Sequence, residues 1–324
     1  MNSPTPRQLS QVGSLDELYR QLAQIRMGAG WDKPTPSLWA EPRKNFRPYH
    51  WSYAQARGAL DAAGRLINTE LAERRNLILA NPAEDYATAR TIVAAYQMIM
   101  PGERARSHRH SPNALRLIID AEPGAYTIVN GQKLEMLPGD VLLTPNWAWH
   151  GHSNEGCACA YWLDMLDVPL VQLLEPMFFE HHPEGFEEKA QVANNSPMHF
   201  RWKETERRLN EAEALSNGAS SVQIAFGDPA FDTMALSMIK LKPGTEIAFG
   251  KVTANNVFGV VRGEGVTKID GEEFHWRRGD VVVVPAWRAH VHSAKDDTIL
   301  FRVTDEPALK KLGFLRAENG NGSR

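Results

Sequence analysis

Apolar residues along most of this chain come in short runs cut by turn-forming residues. Residues 141–145 read VLLTP and residues 281–285 read VVVVP, each preceded by Gly-Asp and followed by x-Trp. Aliphatic runs closed by Pro-Gly, Asn-Gly, Asp-Gly and Gly-Asp dipeptides predict hairpins at close spacing. A helical period appears only outside these runs. Residues 14–29 and 52–67 place apolar side chains three and four apart, with Ser14 and Ser52 as N-caps. The stretch KETERRLNEAEAL predicts a polar helix, and the proline-rich segment 33–51 predicts an extended wrap over the first β unit.

The β region repeats. Residues 97–154 align with 238–294: Pro101-Gly102 with Pro243-Gly244, Gly139-Asp140 with Gly279-Asp280, and Pro145, Trp147, His150 and His152 with Pro285, Trp287, His290 and His292. Two small antiparallel jelly-roll barrels in tandem fit such copies, so the expected fold is mainly β with N-terminal helices. The expected organisation is a helical and extended wrap over 1–90, a first barrel over 91–170 and a helix-containing linker over 171–235. A second barrel over 236–308 and a tail over 309–324 follow, with ENGNGSR disordered.

Composition narrows the class. A net charge of −3 over 324 residues gives no electrostatic case for nucleic acid or an anionic membrane. No apolar stretch reaches a membrane span and the first residues carry no signal core, so a cytoplasmic protein is expected. Cys157 and Cys159, two apart, suit neither a direct disulfide nor a thiolate zinc site; small buried side chains are expected there.

The chemistry lies where the copies differ. The strand-like run SHRHSPNALRLII at 107–119 opens with His108 and His110 and sets Arg116 among aliphatics, at a parity that places all three on one face. Counted from the shared Pro-Gly, Gly250, Val252 and Phe258 stand at these positions in the second copy. A scaffold would need the residues twice; chemistry needs them once. His108, His110 and His150 can bring three imidazoles to one point, a donor set suited to iron, zinc, copper or nickel. Three neutral ligands leave a dication uncompensated and so favour an anionic chelator. Arg116 can hold a carboxylate by charge-assisted hydrogen bonds, or pair with Asp164 or Asp167. His152, two past His150, serves either as hydrogen-bond donor and proton carrier or as scaffold, since His292 matches it.

The order Gly102, His108-x-His110, Gly139, Pro145, His150, Asn154 resembles the cupin superfamily, with two departures. No glutamate follows the histidine pair, and Trp147 stands where a glycine is usual. The longer string from QMIMPGERARSHRH to YWLDMLDVPL, with ERRNLILANP at 73–82, resembles gentisate 1,2-dioxygenases and related salicylate dioxygenases, from about Trp51 to Pro307. That resemblance implies a bicupin with Fe(II) on three histidines, usually a homotetramer. Its reaction opens an aromatic hydroxy acid between the carboxyl- and hydroxyl-bearing carbons with O2. It also implies that Arg116 meets the substrate carboxylate and that Arg74, Gln97 and Asp164 lie at the pocket. From the residues alone, Arg74 is equally a surface charge, Gln97 a sheet-edge polar group and Asp164 a strand-end cap.

Tyr126, Trp147 and Trp149 read as packing or stacking residues, and His181-His182 as surface loop. Gly151 and the segment Asp120–Gly124 depart from the gentisate pattern and shift the expectation toward 5-substituted salicylates, 5-nitrosalicylate and 5-chlorosalicylate included. A metal-dependent cupin isomerase or decarboxylase, or a non-catalytic binding cupin, remains the alternative.

Overall fold

In the computed structural model, residues 3–68, 71–72, 74–187, 190–193 and 195–318 are described. Most of the C-terminal tail expected to be disordered lies outside them. The chain divides at Arg43 into two units. The smaller holds helices Pro6–Ser10 and Leu15–Gln24. Ser14 caps the second, its Oγ accepting from Glu17 N at 3.2 Å. That helix stops five residues short of the expected end, where Arg26 turns to φ 59°.

The larger unit contains the two barrels. In the first, Val141–Thr144, Ala114–Asp120, Ala160–Leu166 and Val93–Ile99 form the centre of one six-stranded sheet. It faces a second six-stranded sheet built around Arg104–His110, His150–Asn154 and Ala125–Val129. The second barrel pairs a six-stranded with a four-stranded sheet. Leu117 and Leu163 of the first barrel and Val257, Val283 and Phe301 of the second share one core, so the large sheets pack face to face. This explains the unbroken burial of Val93–Ile99 and Val281–Val284: one side faces a barrel interior, the other the neighbouring barrel.

The repeat reaches further than the sequence comparison indicated. Asp140 accepts from Trp202 N at 2.7 Å and bonds His199 Nε2 at 2.8 Å. Asp280 accepts from Tyr53 N at 2.8 Å and bonds His50 Nε2 at 2.8 Å. Each carboxylate thus caps one appended helix, Trp202–Leu215 or Tyr53–Leu66, and ties down the short strand before it. Ser52 makes no side-chain cap; Asp280 does its work. The glycines before these aspartates take φ near +88°, and a Cβ there would strike the Trp202 or Tyr53 ring within 3 Å. The wrap expected over the first barrel ends instead in strand Tyr49–Trp51, paired with Val281–Val283 of the second.

A reciprocal link follows the same symmetry. Asp167 binds Asn113 and Thr233, while Asp305 binds Asn255 and Thr91. Each barrel therefore anchors the segment that enters the other.

Candidate metal centre and substrate pocket

The run 107–119 is not one strand. Arg104–His110 and Ala114–Asp120 are separated by a turn at Ser111–Asn113 and belong to opposite sheets of the first barrel. His108, His110 and Arg116 still meet, because the inner faces of both sheets line one cavity. A register shift between Ala105 and His108 sets the histidine pair against His150, with His108 opposite it in the ladder.

One ring nitrogen each of His108, His110 and His150 lie within 4.8 Å of one another, a group able to hold a metal ion. Each Nδ1 is turned to a backbone carbonyl: Arg106 O at 3.2 Å, Pro112 O at 2.8 Å and Ala148 O at 3.1 Å. The Nδ1 atoms therefore carry the protons, and the Nε2 lone pairs are left for the centre. Burial, reinforced by nearby guanidinium groups, lowers the pKa of all three, that of His108 to about 3. Neutral, pre-oriented imidazoles are what a divalent ion requires.

Beside this centre a continuous polar network runs across the barrel from Arg74 to His152. Arg74 Nε donates to Gln97 Oε1 at 2.5 Å, and Gln97 Nε2 donates to Asp164 Oδ2 at 2.7 Å. Arg116 Nε donates to Asp164 Oδ1 at 3.1 Å, and its Nη1 donates to Thr127 Oγ1 at 3.2 Å. Thr127 Oγ1 bonds His152 Nδ1 at 3.0 Å. All five polar residues expected at the pocket belong to this chain. Because Arg116 fills a lone pair of the Thr127 oxygen, the threonine proton goes to its better acceptor, His152 Nδ1. His152 then carries its own proton on Nε2, which is buried without a protein partner. It is a donor, opposite in tautomer to the three bare Nε2 atoms beside it. Burial, with Arg116 the next cause, keeps its pKa well below the usual histidine value.

Thr127 and Trp162 were missed from the sequence. Trp162 packs at 5.4 Å from His152 and leaves its buried Nε1 without a protein partner. Thr127 had a signal in the repeat, since Thr267 matches it and bonds His292 Nδ1 at 2.7 Å. The threonine–histidine pair is thus scaffold common to both barrels.

In the second barrel the rest of the network is gone. Phe258 replaces Arg116 and lies against His292 with ring centres 4.3 Å apart. Phe249 stacks on His290 at 4.8 Å and stands opposite it in the ladder. By register, then, Phe249 rather than Gly250 takes the place of His108. Phenylalanines fill the space that the ligand and the guanidinium occupy in the first barrel.

Other sequence expectations move. Phe179–His181 is a strand rather than a loop, pairing with His108–His110, and its Phe179 ring stacks on His108 at 5.3 Å. Cys157 is exposed and Cys159 half-buried, and both are free thiols. Gly151 does not face the pocket: a Cβ there would meet Ser107 Oγ at 2.7 Å, on the side of the strand opposite His150 and His152. Asp120 lies four residues beyond Arg116, and its carboxylate holds Tyr53 at 2.7 Å and Arg57 and Arg278 at 2.9 Å. Neither Gly151 nor the Asp120 carboxylate is turned to the three-histidine centre. Tyr126 packs under Lys133 and donates to Glu155, away from the centre.

Comparison with known proteins gives a consistent picture. The Cupin domain model matches residues 95–166. The 5-aminosalicylate 1,2-dioxygenase of Comamonas sp is 32% identical, the alignment covering 98% of this chain and 92% of that protein. Gentisate 1,2 dioxygenase 1 of Aquipseudomonas alcaligenes is 33% identical, covering 93% and 95%. The crystal structure of salicylate 1,2-dioxygenase from Pseudoaminobacter salicylatoxidans, in adducts with gentisate, superposes with a TM-score of 0.87 at 27% identity, over 99% of this chain and 96% of that one.

Proposed function

The chain belongs to the ring-cleaving gentisate and salicylate 1,2-dioxygenase family of cupin enzymes, and from that premise we propose that it opens a 2-hydroxybenzoate between its carboxyl- and hydroxyl-bearing carbons. Both atoms of O2 enter the product. The preferred substrate is a ring substituted at position 5, gentisate or a 5-substituted salicylate such as 5-aminosalicylate or 5-nitrosalicylate. The observation that carries the reading is the convergence of three neutral histidines beside two arginines that one unbroken hydrogen-bond network joins to His152.

His108, His110 and His150 would hold the ion, which is Fe(II): zinc shares the donor preference but has no redox chemistry to offer O2. When bound, the ion supplies a Lewis acid for the chelating substrate and an electron path between ring and oxygen. The chain's own groups do the rest. Arg116, buried and held by Asp164, receives the substrate carboxylate on its remaining N–H groups, with Arg74 supplying a second positive charge. Asp164 orients both guanidiniums at once, Arg116 directly and Arg74 through Gln97. His152 offers Nε2–H to a substrate or oxygen atom, fixed as donor by Thr127. The first barrel, over 91–170, carries the reaction; the second, over 236–308, is a degenerate copy kept for architecture. The working form is a cytoplasmic homotetramer with no nucleic-acid or membrane partner.

The test is oxygen uptake by Fe(II)-loaded protein given gentisate, salicylate, 5-aminosalicylate, 5-nitrosalicylate and 5-chlorosalicylate in parallel, with ultraviolet spectra for ring loss. The reading predicts uptake and ring loss with at least one 5-substituted compound. Iron-loaded protein that consumes no oxygen with any of them contradicts it.

A further inference from the structure

The residue between the two histidines of the pair, Arg109, points to the outer face of its strand and is held on three sides. Its guanidinium carbon lies 4.5 Å from the Trp147 ring centre and 4.4 Å from that of Trp149. Its Nε and Nη2 donate to Glu180 Oε2 at 2.8 and 2.6 Å. Each contact comes from a different piece of the centre's wall. Arg109 is flanked by His108 and His110; Trp149 immediately precedes His150; Trp147 N donates to His110 O at 2.9 Å. Glu180 neighbours Phe179, which stacks on His108. Trp147 takes φ +62°, a conformation a non-glycine residue holds only when its surroundings enforce it.

The second barrel supplies an internal control. Trp287 N donates to Val252 O as Trp147 N does to His110 O, the second copy having one extra residue after Phe249. Lys251, the residue before Val252, therefore stands in place of Arg109. It pairs with Glu318 at 2.5 Å, and Trp287 also takes positive φ. The ion pair and the strained tryptophan are thus common to both copies. Arg and Trp149 are not, since Ala289 replaces the second indole. The aromatic sandwich around a guanidinium accompanies the three histidines, on the opposite face of the same two strands.

We propose that Arg109, clamped between Trp147 and Trp149 and tied to Glu180, is a positioning residue that fixes the spacing of His150 against His108 and His110. His150 cannot swing away from the pair without pulling Trp149 off the guanidinium. A planar cation suits a slot between two indoles; a lysine ammonium does not fill it. The inference rests on the proposed metal centre and assigns no contact with substrate to Arg109.

The experiment is titration of metal-free protein with Co(II), followed by its visible absorption bands, for wild type, Arg109→Met, Arg109→Lys, Trp149→Ala and Lys251→Met. Arg109→Met and Trp149→Ala are expected to weaken Co(II) binding about 10–100-fold, the usual scale for residues that orient ligands, and to change the band pattern. Arg109→Lys recovers part of the affinity, and Lys251→Met matches wild type. Wild-type affinity and bands in Arg109→Met overturn the proposal. If that variant does not fold, wild-type binding by Trp149→Ala overturns it equally. Failure of the wild type itself to bind Co(II) removes the metal centre and the clamp together, whereas failure confined to the variants' predicted loss removes only the clamp.

Discussion

Arg116 shows how one buried side chain can serve both the fold and the proposed function. It is 1% exposed, and its partner Asp164 is equally enclosed, so either alone would be an uncompensated charge in the barrel. Arg116→Met is expected to destabilise the metal-free protein by roughly 3–5 kcal/mol by stranding Asp164. Adding Asp164→Leu should recover much of that loss. Urea unfolding of the two single variants and the double variant measures it, and additive losses would show the pair to be uncoupled. For function, Arg116→Ala is expected to weaken substrate binding far more than metal binding; equal losses of both would contradict its assignment to the carboxylate. Much of this was legible beforehand. His108 and His110 alternate on a strand, and the second copy lacks both. What could not be read was the tautomer logic, because Thr127 becomes significant only when Arg116 and His152 are seen at its hydroxyl from different strands.

At the scale of elements, turns and caps matter more than the strands they join. The Gly-Asp pairs read as hairpin turns, and they are turns, but Asp140 and Asp280 also cap helices 60 and more residues away in either direction. No local pattern encodes that, which is why Ser52 looked like the cap of its own helix. Asp140→Ala is expected to cost about 1–2 kcal/mol for the lost cap, and more for unpairing His199, while leaving metal affinity unchanged. Thermal unfolding together with metal titration checks both halves; a loss of metal binding would show that the appended helix also supports the centre. Gly151 teaches the reverse lesson. Its position beside His150 in sequence suggested influence on substrate, yet strand alternation turns it toward Ser107.

Across the whole molecule, two copies of one architecture hold different side chains in their interiors. The second barrel's interior is closed by Phe249 and Phe258 around His290 and His292, whose Nε2 atoms are buried without protein partners. Burial lowers the pKa of His290 to about 4. The unfolded chain binds a proton at this residue near pH 6.5 and the folded chain does not. Its contribution to stability is therefore full above pH 6.5 and is lost as pH falls toward 4, a change of roughly 3 kcal/mol. Urea midpoints for wild type and His290→Gln between pH 7 and 4 should show a shallower fall in the variant; parallel curves would mean that His290 is not held neutral. The tandem barrels were readable from the repeat. The exchange of entry strands between them was not, because Tyr49–Trp51 and His199–Phe200 are too short to show which sheet they join.

The proposed division of labour between the barrels makes the most direct test a count of bound metal. Wild type, His110→Ala and His290→Ala, each loaded anaerobically with Fe(II) and desalted, are assayed for iron per chain. The account predicts a single ion in wild type and in His290→Ala, and none in His110→Ala with its fold intact. Full occupancy in His110→Ala, or a second ion in wild type that disappears in His290→Ala, would contradict it.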